Sequence, residues 1–412
     1  MRPLTILNIS QNYHIRGGSD KIFFALGELL SRKGHRVIPF AGQSPDNEAS
    51  EWSRYFPPAA DFERPGPLDI MRFIYSLPAR RAIENVIEKY RPDLAHLHIY
   101  YGKITGSILP VLKAAGIPIV QTLHEYKLIC PVYTLVSNGR ICEACEGKHF
   151  WRAFPRRCNR GSLSRTALSV VESYFSHWNG SVRLVDKFIA VSDALRQKMI
   201  QYRIPSTKIV TLHNWIDAAN VPVADKPGQY FLYFGRLEHI KGIYTLLKAS
   251  SQVSDIPLLL VGEGNACADI LKFIEEKGWF HIKWLGFKRE MALQDLIHNS
   301  ICTIMPSEWY EPFGMTVLET YAHGRPAIGA DIGGIPEIIA HGETGFLFSP
   351  GNDCMLADHL RWMAENPDDA LKMGQAGRRK IEAHFSPDLY YERLMRIYDS
   401  VLSPRKASET TY

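Results

Sequence analysis

Short apolar runs alternate with amphipathic stretches along almost the whole chain. In the first half, residues 4–10, 37–40, 94–98, 118–122 and 187–191 are rich in Leu, Ile, Val, Ala and Phe. Runs this short and this continuous predict strands buried on both sides, as in a parallel sheet. Between them, residues 20–32, 83–89 and 105–115 carry apolar side chains at helical spacing. The second half repeats the habit, with strands predicted at 230–234, 257–261, 281–285, 301–305 and 326–328 and helices at 241–249, 268–277, 291–299 and 314–323. Repeated strand–helix alternation implies α/β architecture, with helices covering both faces of a parallel sheet.

A chain of 412 residues exceeds one ordinary core and suits two domains of about 200 residues each. The join is predicted within 214–228, a polar, non-periodic stretch carrying Pro222 and Pro227. Polar, proline-bearing segments of this kind separate domains. That places α/β domains at 1–215 and 216–385, with an insert at 126–165 in the first. A C-terminal helix at 386–402, packing back on the first domain, and a polar tail at 403–412 complete the expectation. In tandem domains of this type, strand ends facing a shared central cleft are the natural ligand site.

A net charge of +5 is small for this length; it argues neither for nor against nucleic acid, and any basic partner site must be local. The first apolar run stops at Ser10-Gln11-Asn12 without a small-residue cleavage site, unlike a secretory signal. No apolar stretch reaches the ~20 residues that span a bilayer. The expected compartment is the cytoplasm, with attachment to the inner face of the cytoplasmic membrane left open.

Candidate chemistry concentrates in the second half. Phe234-Gly235-Arg236-Leu237-Glu238-His239-Ile240-Lys241-Gly242 reads as a strand end, a turn and a helix start. Two fixed cations there, Arg236 and Lys241, suit the charge that develops on a leaving diphosphate. Taken alone, the stretch also fits a solvated turn. Pro306 to Gly314, followed by a helix to Glu319, combines a carboxylate, Glu311, with a turn whose backbone N–H groups are free to donate. Taken alone, Glu311 and Glu319 also fit a polar helix face. Val261-Gly262-Glu263-Gly264-Asn265 lacks the third glycine and the following carboxylate of a dinucleotide fingerprint, which counts against a dehydrogenase. Gly333-Gly334-Ile335-Pro336-Glu337 is a glycine turn opening a further helix.

These elements, in this order, resemble the family-4 retaining glycosyltransferases (glycosyl transferases group 1). The resemblance rests on Gly235-Arg236-Leu237 with Lys241-Gly242, Glu311-Pro312-Phe313-Gly314 with Glu319, and Gly324-Arg325-Pro326 through Glu337. It extends to the first half through Gly17-Gly18-Ser19-Asp20, Gly34-His35-Arg36-Val37 and Thr122-Leu123-His124-Glu125. Glu125 stands where many relatives have aspartate. The resemblance implies the GT-B fold, two Rossmann-like domains facing a cleft, and a nucleotide-sugar donor. It implies that Arg236 and Lys241 hold the diphosphate, and that Glu311 orients the sugar hydroxyls with the backbone N–H groups of Phe313 and Gly314. It further assigns Glu319 to the ribose and His124 to the donor sugar or reacting centre. Gly17 and Gly18, like Gly262 and Gly264, would admit the donor or acceptor to the backbone. The acceptor would be a saccharide or lipid-linked saccharide, as in cell-surface polysaccharide or glycolipid synthesis. The implied transfer is same-face, with no assigned enzyme nucleophile. No Asp-x-Asp is present, so no metal or other cofactor is expected in catalysis.

Several features leave alternatives. His96 and His98 end another strand and are candidates for lining the acceptor site. Cys130, Cys142, Cys145 and Cys158 crowd into the insert, a spacing that resembles a tetrahedral thiolate site with structural zinc; four reduced thiols are the competing reading. The same insert is basic and aromatic, with Lys148, Phe150, Trp151, Arg152, Phe154, Arg156, Arg157, Arg160 and Arg165. That composition suits a peripheral membrane contact, a pyrophosphate-bearing acceptor or a solvated cationic surface. Rival functions are a nucleotide-sugar epimerase or another enzyme of the same fold. More distantly, a zinc-ribbon nucleic-acid-binding protein would explain the cysteines but not the motifs of the second half.

Overall fold

The structure is a computed structural model that describes residues 2–60 and 66–406. The chain divides into two compact units. One holds the described residues up to Ser137, Glu143–Leu212 and the chain from Tyr390 onward; the other holds Asn138–Cys142 and His213–Leu389.

The first unit is built on a six-stranded parallel sheet. Its strands are β1 (Thr5–Ile9), β2 (Arg36–Phe40), β3 (Leu94–Leu97) and β4 (Ile119–Leu123). After two short strands of the insert, β5 (Val136–Ser137) and β6 (Arg140–Ile141), come β7 (Lys187–Ala190) and β8 (Ile209–Thr211). The spatial order is β2-β1-β3-β4-β7-β8, so the chain switches direction across the sheet between β1 and β3. Every residue of β3 and β4 is buried, which explains why these strands read as continuous apolar runs rather than as an alternation. The helix Gly18–Arg32 buries Ile22, Phe23, Leu26, Leu29 and Leu30, an i, i+1, i+4, i+7, i+8 stripe along one face. Asp20 anchors its start by accepting from the backbone N–H groups of Arg16 and Gly17 at 3.0 and 3.1 Å.

The C-terminal helix, Pro387–Lys406, runs four residues past the expected Leu402; the remainder of the expected tail lies outside the described residues. Tyr390, Leu394 and Tyr398 are buried at 3%, 0% and 0% exposure, one face of that helix at four-residue spacing. Tyr391 also bonds His35 Nε2 through its hydroxyl at 2.9 Å.

The second unit has its own six-stranded parallel sheet, ordered β11-β10-β9-β12-β13-β14. The strands are β9 (Tyr230–Phe234), β10 (Leu258–Val261), β11 (Ile282–Trp284), β12 (Ser300–Met305), β13 (Ala327–Ala330) and β14 (Gly345–Phe348). The central strand β9 lies between β10 and β12. Phe231, Leu246, Leu258, Leu260, Ile304, Ile328 and Phe348 form its apolar core with helical partners such as Leu356 and Leu360. Fully burying side chains of this kind stabilises by roughly 1.5–3 kcal/mol each. In a doubly wound sheet of this order the crevice at the carboxyl ends of β9 and β12 is the topological switch point, where ligands bind.

Candidate active site

Both loops at the switch point of the second unit carry the motifs singled out in the sequence. After β9 the chain passes Arg236 and makes a short 3-10 turn, His239–Lys241. After β12 it passes Pro306 to Glu311 and enters the helix Met315–Ala322 at Gly314. The loops interlock through backbone: Glu308 N–H donates to Ile240 O at 2.9 Å. Gly242 sits at φ +69°, and a Cβ there would lie 1.8 Å from Pro306 O. Only glycine lets the two backbones approach this closely.

That approach brings Lys241 to Glu311. Nζ lies 2.7 Å from Oε2, with the two side chains 13% and 12% exposed. Oε2 also accepts from Ser307 Oγ at 3.1 Å and Trp309 Nε1 at 2.9 Å. The ammonium lies 5.1 Å from the centre of the Trp309 ring, within cation–π range. Three donors thus converge on one oxygen of Glu311, and among the described residues none reaches Oε1. The backbone of Glu311 is held as firmly: Gly334 N–H donates to its carbonyl at 2.8 Å. Gly333, at φ +61°, passes so close that a Cβ would stand 2.2 Å from that carbonyl oxygen. The glycine pair of the fourth motif therefore clasps the carboxylate-bearing loop.

Arg236 is placed differently from Lys241. Its guanidinium is 55% exposed and pairs with Glu238 at 2.9 Å, a contact worth little by itself in solvent. Its carbonyl accepts from the Tyr233 hydroxyl at 2.8 Å. Burial raises the Tyr233 phenol above its ordinary pKa, and the charges of Glu311 and Glu238 raise it further while Arg236 opposes them. Tyr233 is thus a buried post standing amid these three charges.

Phe313 is buried and stacks on His213 at 5.8 Å between ring centroids. His213 Nε2 in turn meets Glu337 Oε2 at 2.8 Å. Glu319 lies on the helix Met315–Ala322, half-buried. Gly262 and Gly264 pack against backbone, where a Cβ would fall 1.9 Å from Gly235 O and 2.2 Å from Leu237 O respectively. Their need for glycine is met by the joining of the loops after β9 and β10.

Sequence reasoning missed Ser307 and Trp309 as donors to Glu311, although both immediately precede it, and a carboxylate removed from water requires such donors. It also missed His213, whose partner Glu337 lies 124 positions away.

In the first unit, His124 directly follows β4. It is partly exposed, and its Nε2 lies 2.9 Å from His98 Nδ1. His98 Nε2 lies 3.1 Å from Asn8 Oδ1, and the rings of His96, His98 and His124 stack in sequence, with centroids 4.8 and 5.2 Å apart. Burial lowers the pKa of His124 to about 4 and, with the His124 charge, that of His96 to about 3. His98 is held well below the ordinary imidazole range for the same first reason. All three are neutral near pH 7. His96 and His98 are 0% and 1% exposed, so the expectation that they line an acceptor site is corrected. His96 lies in β3 under the cover of Tyr398, His98 follows the strand directly, and His98 supports His124 from beneath. Gly17 caps the helix Gly18–Arg32, and space beyond its Cα is open to 4 Å.

None of the chain's seven cysteines, four of them in the insert, is in a disulfide. Cys145 and Cys158 share an apolar cluster with Phe150, Ala153 and Val170. Cys130 is buried, which raises its thiol pKa, and Cys158 is among the nearby charges acting on it. The sulfurs of Cys130, Cys145 and Cys158 do not fall within 4.8 Å of one another.

Glycine-jointed loops and a cation–carboxylate pair at the switch point of a doubly wound sheet define a class of ligand-binding α/β proteins. Comparison with known proteins narrows it. Residues 16–220 match the model "Glycosyltransferase Family 4" and residues 217–380 match "Glycosyl transferases group 1". The chain belongs to this family, and its fold is GT-B. It is 26% identical over 308 residues to glycogen synthase of Mycobacterium tuberculosis, covering 72% of this chain and 66% of that one. It is 27% identical over 239 residues to N-acetyl-alpha-D-glucosaminyl L-malate synthase of Bacillus anthracis, covering 54% and 61%. The matches thus span a little under two thirds of these relatives. Anabaena HepE, solved in complex with UDP-glucose, superposes with a TM-score of 0.68 at 17% identity, over 96% of this chain and 100% of that one.

Proposed function

We propose that the chain transfers a hexosyl-type sugar from a nucleotide diphosphate, UDP- or GDP-linked, to a saccharide or lipid-linked saccharide, retaining the anomeric configuration. The observation that carries this reading is the Lys241–Glu311 pair at the carboxyl ends of β9 and β12. Lys241 and Arg236 stabilise the negative charge that grows on the departing diphosphate. Glu311, oriented by Ser307 and Trp309, accepts the donor sugar's hydroxyls through Oε1. Glu319 takes the ribose, and His124 contacts the donor sugar. The acceptor hydroxyl attacks from the face the phosphate leaves, through an oxocarbenium-like state, and a phosphate oxygen takes its proton. Positioning and fixed charge supply the rate, without a metal. The complexed state of HepE favours UDP as the base to try first.

The experiment is a thermal-shift panel of UDP-, GDP- and ADP-hexoses, followed by NMR of the product anomer. A donor at about 100 times its Kd stabilises by about 2.7 kcal/mol. Stabilisation by none of them, or release of an isomerised sugar without acceptor, overturns the reading.

A membrane-facing role for the first unit has separate support. The helix Pro67–Ile74 leaves Leu68 and Met71 65% and 64% exposed, and the helix Leu163–Trp178 leaves Val171 and Trp178 51% and 77% exposed. These helices pack on each other, and Arg156, Arg157, Arg160 and Arg165 are exposed in the same region of sequence. Apolar side chains flanked by arginines suit the interface of an anionic bilayer, where a lipid-linked acceptor would reside. Among the described residues no helix is long and apolar enough to cross a membrane.

A further inference from the structure

We infer that Asn8 and His98 are positioning residues that lock His124 in the neutral tautomer protonated on Nε2, leaving Nδ1 as a hydrogen-bond acceptor for a substrate hydroxyl. The inference rests on the reading that His124 meets the donor sugar.

The carbonyl of Phe23 can only accept, and Asn8 Nδ2 lies 3.1 Å from it. That orients the Asn8 amide and turns Oδ1, an acceptor, toward His98 Nε2 at 3.1 Å. His98 must therefore carry its proton on Nε2. A neutral imidazole then presents a lone pair at Nδ1, and the atom 2.9 Å from that lone pair is His124 Nε2, which must be the donor. One carbonyl on a helix thus dictates, through three hydrogen bonds, which nitrogen of a partly exposed imidazole is bare. Among the described residues His124 Nδ1 has no partner. A proton added to His98 Nδ1 would set two donors against each other.

The surrounding packing suppresses the alternatives. His96 lies parallel to His98 and is bonded on both nitrogens, to Tyr398 Oη at 2.6 Å and Thr122 Oγ1 at 2.7 Å. The edge of Phe23 stands against the His98 ring at 5.6 Å and 87°. No carboxylate belongs to this chain of contacts, so nothing in it favours an imidazolium.

The test uses the full-length protein labelled with 15N-histidine. Long-range proton–nitrogen spectra distinguish protonated from bare ring nitrogens, and His98→Phe and His124→Gln spectra assign the signals. The expected result at pH 7 is a single tautomer for His124, with Nδ1 bare. His98→Phe keeps the ring volume but removes the acceptor and should yield mixed His124 tautomers. His98→Asn restores an oxygen near the Nδ1 position and should recover the single form. With UDP-glucose as donor, kcat/KM should fall about tenfold in His98→Phe, the scale of one hydrogen bond, and recover in His98→Asn. A wild-type His124 protonated on Nδ1 overturns the lock. Unchanged kcat/KM in His98→Phe, with mixed tautomers, overturns the positioning role. Full turnover by His124→Ala overturns the donor-contact reading and this inference with it, whereas failure of wild type to use UDP-glucose overturns only that choice of donor and leaves the tautomer spectra to decide.

Discussion

Lys241 Nζ and Glu311 Oε2 lie 2.7 Å apart, at the ends of two adjacent strands whose loops are joined by backbone contacts. In the proposed reaction, Lys241 stays paired with Glu311 until the donor diphosphate arrives to share the cation. Lys241→Ala leaves Glu311 with Ser307 and Trp309 as donors, so the fold should persist with a lowered Tm. Turnover should fall by about two to three orders of magnitude, the scale of removing one electrostatic contact to a developing charge. Glu311→Ala should cost as much in kcat while releasing the Lys241 ammonium. Circular dichroism and steady-state kinetics check both; near-normal turnover by either variant removes this pair from the reaction.

Gly333 and Gly342 separate backbone strain from crowding. Both have positive φ, +61° and +79°, but a Cβ at Gly333 meets the Glu311 backbone at 2.2 Å and one at Gly342 meets nothing within 4 Å. Alanine at Gly342 should cost about 1 kcal/mol for the left-handed conformation alone. Alanine at Gly333 should cost at least twice that and displace the carboxylate, reducing kcat as well. Equal denaturation midpoints for the two variants would mean that the clasp on Glu311 yields without consequence.

Ten of the twelve strands in the two six-stranded sheets were legible in the sequence, and the reason is burial. Strands such as β4 and β10 are almost entirely interior, so their apolar runs carry the signal without any periodicity. The two not foreseen, β8 and β14, are short and half-open, with Ile209 alone fully buried in one and only Gly345 and Phe348 in the other. The Lys241–Glu311 juxtaposition could be suspected from motif order, because each motif follows a strand and strand ends share one edge. The burial of His96 and His98 could not, because their cover includes Tyr398, 302 positions from His96.

The histidine stack also makes acid stability predictable. His124 and His96 titrate at about 4 and about 3 in the folded chain, against an ordinary value near 6.5. Between those values the unfolded chain binds more protons, so stability rises with pH and is lost as pH falls from about 6.5 toward 4. Each histidine contributes up to about 1.4 kcal/mol per pH unit in that window. Urea denaturation at pH 7, 6 and 5 should show a falling midpoint, with a shallower fall in His96→Asn. A midpoint independent of pH over this range would contradict the neutral stack.

Zinc in the insert is our reading of the four cysteines, and it asks more of the protein than the geometry supplies. Cys145 and Cys158 already share a cluster, and Cys130 is buried within range of the charge of Cys158, but a tetrahedral ion would have to draw the sulfurs together. Elemental analysis of protein purified without chelator should give one zinc per chain, and chelation should lower Tm. Protein that is folded and metal-free as isolated leaves four packed thiols as the answer.

The proposed membrane contact by the first unit would depend on two kinds of side chain that fail differently. Arginines near an anionic surface contribute about 1 kcal/mol each, and salt screens them. Trp178, 77% exposed, contributes through apolar burial, which salt does not weaken. Sedimentation with phosphatidylglycerol vesicles should therefore bind the protein at low salt, and phosphatidylcholine vesicles should not. Charge reversal in Arg156→Glu/Arg157→Glu should remove the salt-sensitive part of the binding and leave whatever persists at high salt. Trp178→Ser should weaken binding at low salt and eliminate what persists at high salt, because only the electrostatic part then remains to be screened. Wild-type protein that stays in the supernatant with anionic vesicles at low salt would assign the exposed apolar and arginine side chains to solvent, and the lipid-linked form of acceptor would lose its support.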